Sequence, residues 1–214
     1  MSTVHNGLIR GINACYNQCI NVAAKGTHKD KVDFANFAAQ VAQILHEHHD
    51  MEEEQLFPQI NVMAGVPGLM DGNVAEHLAF HEPFDKYEAY LTDVKTEKVE
   101  LDGEHMRKLI DDFMGPLYIH LVGEIDSLVA LEKYGDDIDW HTWFNGEVEK
   151  MNKGFMKQSA FRVRSAVRCL IGNTFADSMN RPSSCPYIWS SMMDHMLMAS
   201  GKTSHLFRSS CCGY

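Results

Sequence analysis

Histidine and glutamate recur in this chain at a spacing that is typical of metal ligation. His48 and Glu52 are four residues apart, and so are His120 and Glu124. Residues four apart lie on one face of an α-helix, so each pair would present an imidazole beside a carboxylate. Because the chain has 12 histidines, roughly one such pair would arise by chance. The argument for a metal site therefore depends on where the pairs lie within their helices.

The candidate ligands fall on the apolar stripes of the predicted helices. His48 and Glu52, for example, continue a stripe formed by Phe37, Val41 and Ile44. An ionised glutamate in a protein interior costs several kcal/mol unless it is paired or bound to a metal. Each of the four predicted helices contributes at least one imidazole to the same interior. The stripes predict a buried metal site with the ligands His5, His48, Glu52, His77, His120 and Glu124, and with His81 as a seventh ligand.

Two cations would offset the cost of burying so many imidazoles and carboxylates. Two helices that each carry a histidine and a glutamate can supply two bridging carboxylates, while the imidazoles complete the coordination of each metal. Mixed imidazole and carboxylate ligation with open positions favours iron over manganese or zinc. We therefore expect two non-haem iron ions, bridged by an oxo or hydroxo group and by the carboxylates.

A third histidine and glutamate pair overlaps the first one. His49 and Glu53 are also four residues apart. They lie one step of about 100° round the helix from His48 and Glu52. We therefore expect His49 and Glu53 to face a helix boundary or to surround the site, and not to be ligands.

Four helical segments must position these residues. Apolar residues recur with the period of a helix, and no segment alternates with period two. Turn signals around Gly26, Gly65 and Gly103 separate the segments. Short connections favour antiparallel neighbours, so we predict an all-α fold, an up-down four-helix bundle over residues 1–134. The segments cover approximately residues 3–24, 30–63, 72–97 and 102–134.

Two prolines lie inside the predicted helices, and the pattern becomes less regular toward the C-terminus. Pro83 and Pro116 lie inside two of the segments and are expected to kink these helices without ending them, since the pattern continues on both sides. After Gly135 the residue pattern along the sequence changes, and a mixed helical stretch is expected near 147–172. We predict that residues 135–214 form a C-terminal extension that packs on or near the bundle.

Composition restricts the partners of the protein. With 45% hydrophobic residues, the chain can bury a core. The formal net charge of -10 argues against nucleic acid or an anionic membrane surface, because both are polyanions. No apolar run reaches the roughly 20 residues of a membrane span, and the first residues lack the apolar core of a secretory signal. We expect a cytoplasmic protein with no nucleic acid and no membrane as partner.

At the candidate ligands, the sequence resembles the hemerythrin-like family. The matching pieces are His5 at the start of the first helix and the runs 48–58, 76–81 and 120–124. In the family's second helix, the ligating glutamate lies five residues before the phenylalanine of Leu-Phe-Pro, which selects Glu52 here. The resemblance covers about residues 3–134 and implies a four-helix bundle with a carboxylate-bridged di-iron site.

The fourth helix departs from one branch of this family. Oxygen-carrying hemerythrins close the site with a histidine and an aspartate five residues later, whereas His120 and Glu124 are four residues apart. This spacing is similar to that of the iron-sensing and iron-sulfur-repair branches. His77 and His81 together would nevertheless restore the five histidines and two carboxylates of the oxygen carriers. The general layout, including the tail, is most similar to fungal hemerythrin-like proteins.

Two classes of function follow from this pattern. The first, which we favour, is an oxidoreductase or oxygenase that activates dioxygen toward a small organic substrate, because the tail after residue 134 could wall a substrate pocket. The second is a non-catalytic protein that binds or senses dioxygen, nitric oxide or iron. A third function, iron release for iron-sulfur repair, is implied by the resemblance alone.

Overall fold

The structure is a computed structural model that describes residues 1–135, 137–147 and 149–150. Within these residues there is no β-strand, and a short helical stretch covers residues 140–147. The predicted all-α fold class is confirmed, while most of the stretch expected near 147–172 and the remaining tail lie outside the described residues. The α-helices, numbered in chain order, are α1 (Ser2–Lys25), α2 (His28–Met51), α3 (Phe57–Ala64), α4 (Asp71–Lys95) and α5 (Gly103–Val129).

The four long helical segments pack as a ring. Helix α1 packs against α2 and α5, and α4 packs against the same two helices. Gly26 and Thr27 alone separate α1 from α2, and Thr27 begins α2 with a reciprocal capping box that involves Asp30. Pro83 lies within α4 and Pro116 within α5, and neither proline ends its helix. This arrangement agrees with the predicted helical bundle.

A π-helical turn (Glu52–Leu56) joins α2 to α3, so the two helices follow each other without a break. In this turn the amide of Phe57 donates to the carbonyl of Glu52 five residues back, where an α-helix would use the carbonyl four residues back. The wider turn changes which of the following side chains face the interior, and Phe57 and Ile60 are buried after it. The sequence pattern predicted an ordinary helix here. Such turns often occur at functional sites.

Helix α5 is long and apolar enough, by length and composition alone, to cross a membrane together with the 3-10 turn that follows it. Core helices of soluble proteins pass the same test. Since α5 packs against α1 and α4 in the bundle, this property is only weak evidence of a membrane location.

Two apolar clusters fill the bundle, and a polar layer lies between them. Leu45 on α2 belongs to the larger cluster. Leu56, at the end of the π-helical turn that follows α2, belongs to the smaller one. Glu52 is fully buried between these two leucines. The buried His77 on α4 also lies between the two clusters. Met70, just before α4, belongs to the smaller cluster, and the buried apolar residues after His77 belong to the larger one. The bundle therefore holds its buried histidines and glutamates in one layer.

Gly103 begins α5 where this helix approaches α1 closely. A Cβ atom at Gly103 would lie 2.5 Å from Cα of Ile20 and 2.7 Å from the carbonyl oxygen of Cys19. Because backbone atoms cannot move aside cheaply, Gly103→Ala should lower the free energy of unfolding by about 1–3 kcal/mol in urea denaturation. Gly7→Ala in α1 is the control, since a Cβ there meets nothing within 4 Å; it should stabilise by up to about 1 kcal/mol. Equal stability of Gly103→Ala and wild type would contradict this close packing.

Candidate metal centre

Seven histidine and glutamate side chains lie in the polar layer between the two apolar clusters. None of them is more than 4% exposed. Helices α1, α2, α4 and α5, together with the π-helical turn after α2, supply them. The seven residues are His5, His48, His49, Glu52, His77, His120 and Glu124.

The first of two groups of possible metal ligands is formed by His5, His48 and Glu52. One nitrogen or oxygen atom of each lies within 4.8 Å of the others. Nε2 of His48 is 3.1 Å from Oε1 of Glu52. On the other side, Nε2 of His5 is 2.9 Å from Oε2 of Glu124. Glu124 therefore joins this group from α5.

The second group is formed by His49, Glu52, His77 and His120, whose atoms also lie within 4.8 Å of one another. The Nε2 atoms of His77 and His120 are 3.0 Å apart. Nε2 of His77 is 3.6 Å from Oε2 of Glu52. The ring of Phe80 covers this group, with its centroid 5.0 Å from that of His49. The two groups share Glu52, which presents one oxygen to each.

The buried atoms of the cluster lack the hydrogen bonds that such atoms need in a protein interior. Neither carboxylate oxygen of Glu52 or Glu124 makes a hydrogen bond of acceptable geometry, and the same is true of both ring nitrogens of His5 and of Nε2 of His48 and His49. The short distances from His5 to Glu124 and from His48 to Glu52 are contacts without this geometry. Native proteins rarely leave buried polar atoms unpaired, and an unpaired buried charge costs several kcal/mol. Cations bound at the two groups would satisfy these atoms, so this set of side chains fits a metal site.

Two further carboxylates contact the imidazoles of the second group from outside. Oε1 of Glu53 accepts a hydrogen bond from Nδ1 of His77 at 2.7 Å, and Oε2 of Glu76 lies 3.5 Å from Nδ1 of His120. Gly123 leaves room for Glu76, because a Cβ there would lie 3.1 Å from Oε1 of Glu76. A proton held on Nδ1 leaves Nε2 free to bind a metal, which is how carboxylates commonly orient metal-ligating histidines.

Burial sets the protonation of the cluster. It lowers the pKa of His48 to about 3, and the neighbouring His5 adds to this effect. It also lowers the pKa of His120 to about 2, so both rings are neutral near pH 7 and can bind a metal. Burial raises the pKa of Glu52 well above its usual value, and Glu124 adds to this effect. Burial acts in the same direction on Glu124, but the close imidazole of His5, together with His48 and Glu52, outweighs it, and the pKa of Glu124 is lowered.

These pKa shifts predict that acid destabilises the metal-free protein. Between the unfolded value of 6.5 and the folded value of about 3, the His48 imidazole binds a proton only in the unfolded chain. Burial lowers the pKa of His49 and His120 in the same direction, so each ring removes roughly 1 kcal/mol of stability per pH unit below 6.5. Glu52, with its raised pKa, opposes this loss.

The measurement is urea denaturation of the chelator-treated protein at pH 7 and pH 5.5. We expect a lower free energy of unfolding at pH 5.5 and a smaller loss when metal is present, because metal competes with protons for the imidazoles. A metal-free protein that is equally stable or more stable at pH 5.5 would contradict the neutral state of the buried rings.

The structure brings six of the seven predicted ligands together, and His81 is the exception. His81 is half-buried and lies edge-on to Phe80, with 5.6 Å between the ring centroids. In the part of the chain that is described, neither group of possible metal ligands includes His81. Burial is the main cause of the lowered pKa of His77, and the nearby His81 adds to it. Ligation by the predicted residues remains a prediction.

His49 was expected around the site, and the structure places it inside the cluster. Glu52 follows His48 by four residues and His49 by three, and both spacings make residues neighbours on a helix surface. One glutamate can therefore lie between two adjacent imidazoles. The signal in the sequence was the pair of consecutive histidines before Glu52. Glu53, in contrast, contacts the cluster from outside as expected.

Comparison with known proteins agrees with this arrangement. The family described as "Hemerythrin HHE cation binding domain" matches residues 1–131. The chain is also similar to the "Dimeric xanthone biosynthesis cluster protein R11" of Cryptosporiopsis sp. (strain 8999), with 34% identity over 134 residues. That alignment covers 63% of this chain and 49% of the relative, so this chain matches about half the length of the relative.

No solved structure matches the chain at a significant level. The family match, in contrast, extends over more than half of the chain and includes all seven buried histidines and glutamates of the cluster. The fold, the cation-binding arrangement of side chains and the sequence match agree with one another. The chain therefore belongs to the hemerythrin HHE cation binding domain family.

Proposed function

We propose that this protein holds two non-haem iron ions, binds dioxygen at them and uses it to oxidise a small organic substrate. The observation that carries the proposal is the position of Glu52. Its Oε1 is 3.1 Å from Nε2 of His48, and its Oε2 is 3.6 Å from Nε2 of His77. A carboxylate shared in this way suits the bridge of a dinuclear site. Mixed imidazole and carboxylate ligands favour iron, with manganese and zinc less favoured.

Within this proposal, the side chains divide into two ligand sets that share Glu52. Ferrous ions bound there would supply the electrons that dioxygen takes up on reduction. Burial keeps the imidazoles of His48 and His120 neutral near pH 7. The rings of Phe57 and Phe80 shield the second set from water, with centroids 5.8 Å and 6.0 Å from that of His77. Glu53 holds the proton of His77 on Nδ1. One set comprises His5, His48 and Glu124, and the other comprises His49, His77 and His120.

An organic substrate is supported by two observations. The name of the relative, protein R11, refers to the biosynthesis of a dimeric xanthone, which is an organic compound. In addition, His120 and Glu124 are four residues apart, whereas the resemblance to oxygen carriers would imply five. Both observations favour a reaction at the centre over simple storage of dioxygen.

The second candidate function is a non-catalytic protein that binds or senses dioxygen, nitric oxide or iron. One specific observation favours it. With His49 included, the cluster contains five imidazoles and two carboxylates. This is the set that the resemblance implies for oxygen carriers. His49 thus takes the place in this set that the sequence pattern gave to His81.

Exposure of the anaerobic ferrous protein to dioxygen separates the two candidates. An oxidoreductase and a dioxygen carrier both predict a new visible absorption band. A carrier should lose the band under vacuum and stop taking up dioxygen at about one equivalent per chain. An enzyme should keep consuming dioxygen beyond that amount when ascorbate and a panel of small organic compounds are added. Glu52→Gln protein is the control. The absence of any spectral change in the wild type would contradict both the oxidation of a substrate and the binding of dioxygen, and would leave nitric oxide or iron as the ligand of the second candidate.

A further inference from the structure

A pocket of about 380 Å³ opens at one end of the bundle, next to the candidate metal centre. Ile125 lines the pocket and directly follows Glu124 in α5, and Leu128 lines it one turn later. Met1 forms another part of the wall, and its carbonyl accepts the amide hydrogen of His5 at 3.1 Å. Two of the residues in the buried cluster are therefore directly connected to the wall of this pocket.

The opposite wall is aromatic and is held in place. Trp140 and Phe144 line the pocket one turn apart on the helical stretch 140–147. The indole N–H of Trp140 donates to the carbonyl of Tyr134 at 2.8 Å. Trp143 supports the same indole edge-on, with 5.8 Å between the ring centroids. The two rings that face the pocket thus offer flat apolar surfaces, and the one polar hydrogen of Trp140 is already used.

The polar side chains of the pocket lie at its mouth and indicate what it can accept. Glu132, His141 and Asn145 line the pocket and are exposed. The carboxylate of Glu132 can accept a hydrogen bond from a hydroxyl group but repels an anion. The volume lies near the lower end of the range of roughly 300–1,000 Å³ for small-molecule sites.

We propose that this pocket binds a small, flat, neutral aromatic compound that carries a hydroxyl group. The aromatic body would lie against Trp140 and Phe144, because flat rings pack favourably on one another, and the hydroxyl group would reach Glu132 at the mouth. Such a compound would also contact Ile125, the residue that follows Glu124 in α5. That this ligand is the substrate rests on the proposed function, whereas its binding does not.

The test uses the full-length, iron-loaded protein and isothermal titration calorimetry with 2-naphthol as the probe. Val129 lines the pocket and is 62% exposed, so Val129→Trp should fill the mouth without disturbing the core. Ile119→Trp is the matched control, because Ile119 is 63% exposed on the same helix and does not line the pocket. Iron content is measured for every variant.

We expect 2-naphthol to bind, Val129→Trp to weaken this binding at least about tenfold and Ile119→Trp to change it less than about twofold, all at wild-type iron content. 2-Naphthoate, which is anionic, and cyclohexanol, which is not aromatic, should both bind at least about tenfold more weakly than 2-naphthol. The proposal is overturned if the full-length protein does not bind 2-naphthol, if Val129→Trp binds it like wild type, or if 2-naphthoate binds equally well.

Failure of the proposed function gives a different result. Binding of 2-naphthol with the expected effects of the variants, but with no oxidation of any compound, would support the pocket while removing the enzymatic function. Oxidation of a hydroxylated aromatic compound by Val129→Trp at the wild-type KM would retain the enzymatic function and overturn the pocket.

Discussion

Replacing Glu52 by glutamine is expected to have opposite effects on metal binding and on the stability of the metal-free protein. Both oxygens of Glu52 are buried without a hydrogen-bond partner, and each faces a different group of imidazoles. An amide is a much weaker ligand, so iron content should fall from about two per chain to below about one. Without metal at pH 8, the neutral amide removes a buried carboxylate, and the free energy of unfolding should rise by about 1–3 kcal/mol.

The two effects of Glu52→Gln are measured as iron content after anaerobic reconstitution and as urea denaturation in the presence of a chelator. Glu54→Gln is the matched control, because Glu54 lies two residues away on the same turn and is exposed. This control should retain both the iron and the stability of the wild type. A Glu52→Gln protein that keeps its iron would contradict the bridging role. Loss of stability in its metal-free form would contradict the cost assigned to the buried carboxylate.

The second large effect is a difference between two histidines that the sequence ranked in the opposite order. His49 is 4% exposed and belongs to a group of possible metal ligands, whereas His81 is only half-buried and lies beside that group. His49→Ala should therefore lower the iron content from about two per chain to about one. His81→Ala should leave it unchanged.

Iron content and the visible absorption spectrum of the two alanine variants provide the measurement. Each variant is the control for the other, since both remove an imidazole close to His77. Unchanged iron in His49→Ala together with iron loss in His81→Ala would show that His81, as the sequence predicts, is a ligand and that His49 is not. Circular dichroism at 222 nm checks that both variants keep their helices.

The fold could be predicted from the sequence because its determinants are local. The helical period of apolar residues and the short connections are both visible in the chain, and Thr27 with Asp30 marks the start of α2. The π-helical turn Glu52–Leu56 could not be predicted. It depends on which backbone hydrogen bonds form in the packed bundle, and the periodic pattern on both sides of it is that of an ordinary helix.

The site could be predicted in large part because charged residues on apolar stripes are unusual. This argument found His5 and His77 as readily as the pairs with four-residue spacing, but it selected one inward position per helical turn. A bundle interior that has room for two groups of ligands is wider than one stripe, and His49 therefore faces it together with His48. His81 has the right spacing from His77, yet α4 leaves it at the edge of the cluster. Spacing alone cannot distinguish these cases.

The carboxylates around the cluster depend on contacts between helices that are distant in the sequence. Glu76 of α4 approaches His120 of α5 over Gly123. No local pattern indicates this contact, because it requires knowledge of how α4 and α5 face each other. The pocket lined by Ile125 is equally nonlocal, since Met1 and Trp140 meet there from opposite ends of the described chain.

The iron content of the wild-type protein tests the central claim most directly. The claim is that Glu52 joins two groups of ligands, each of which holds one metal. Anaerobic reconstitution with ferrous iron, removal of unbound metal and elemental analysis should give about two iron ions per chain. A value that stays at one iron per chain or below under saturating ferrous iron would contradict the dinuclear centre.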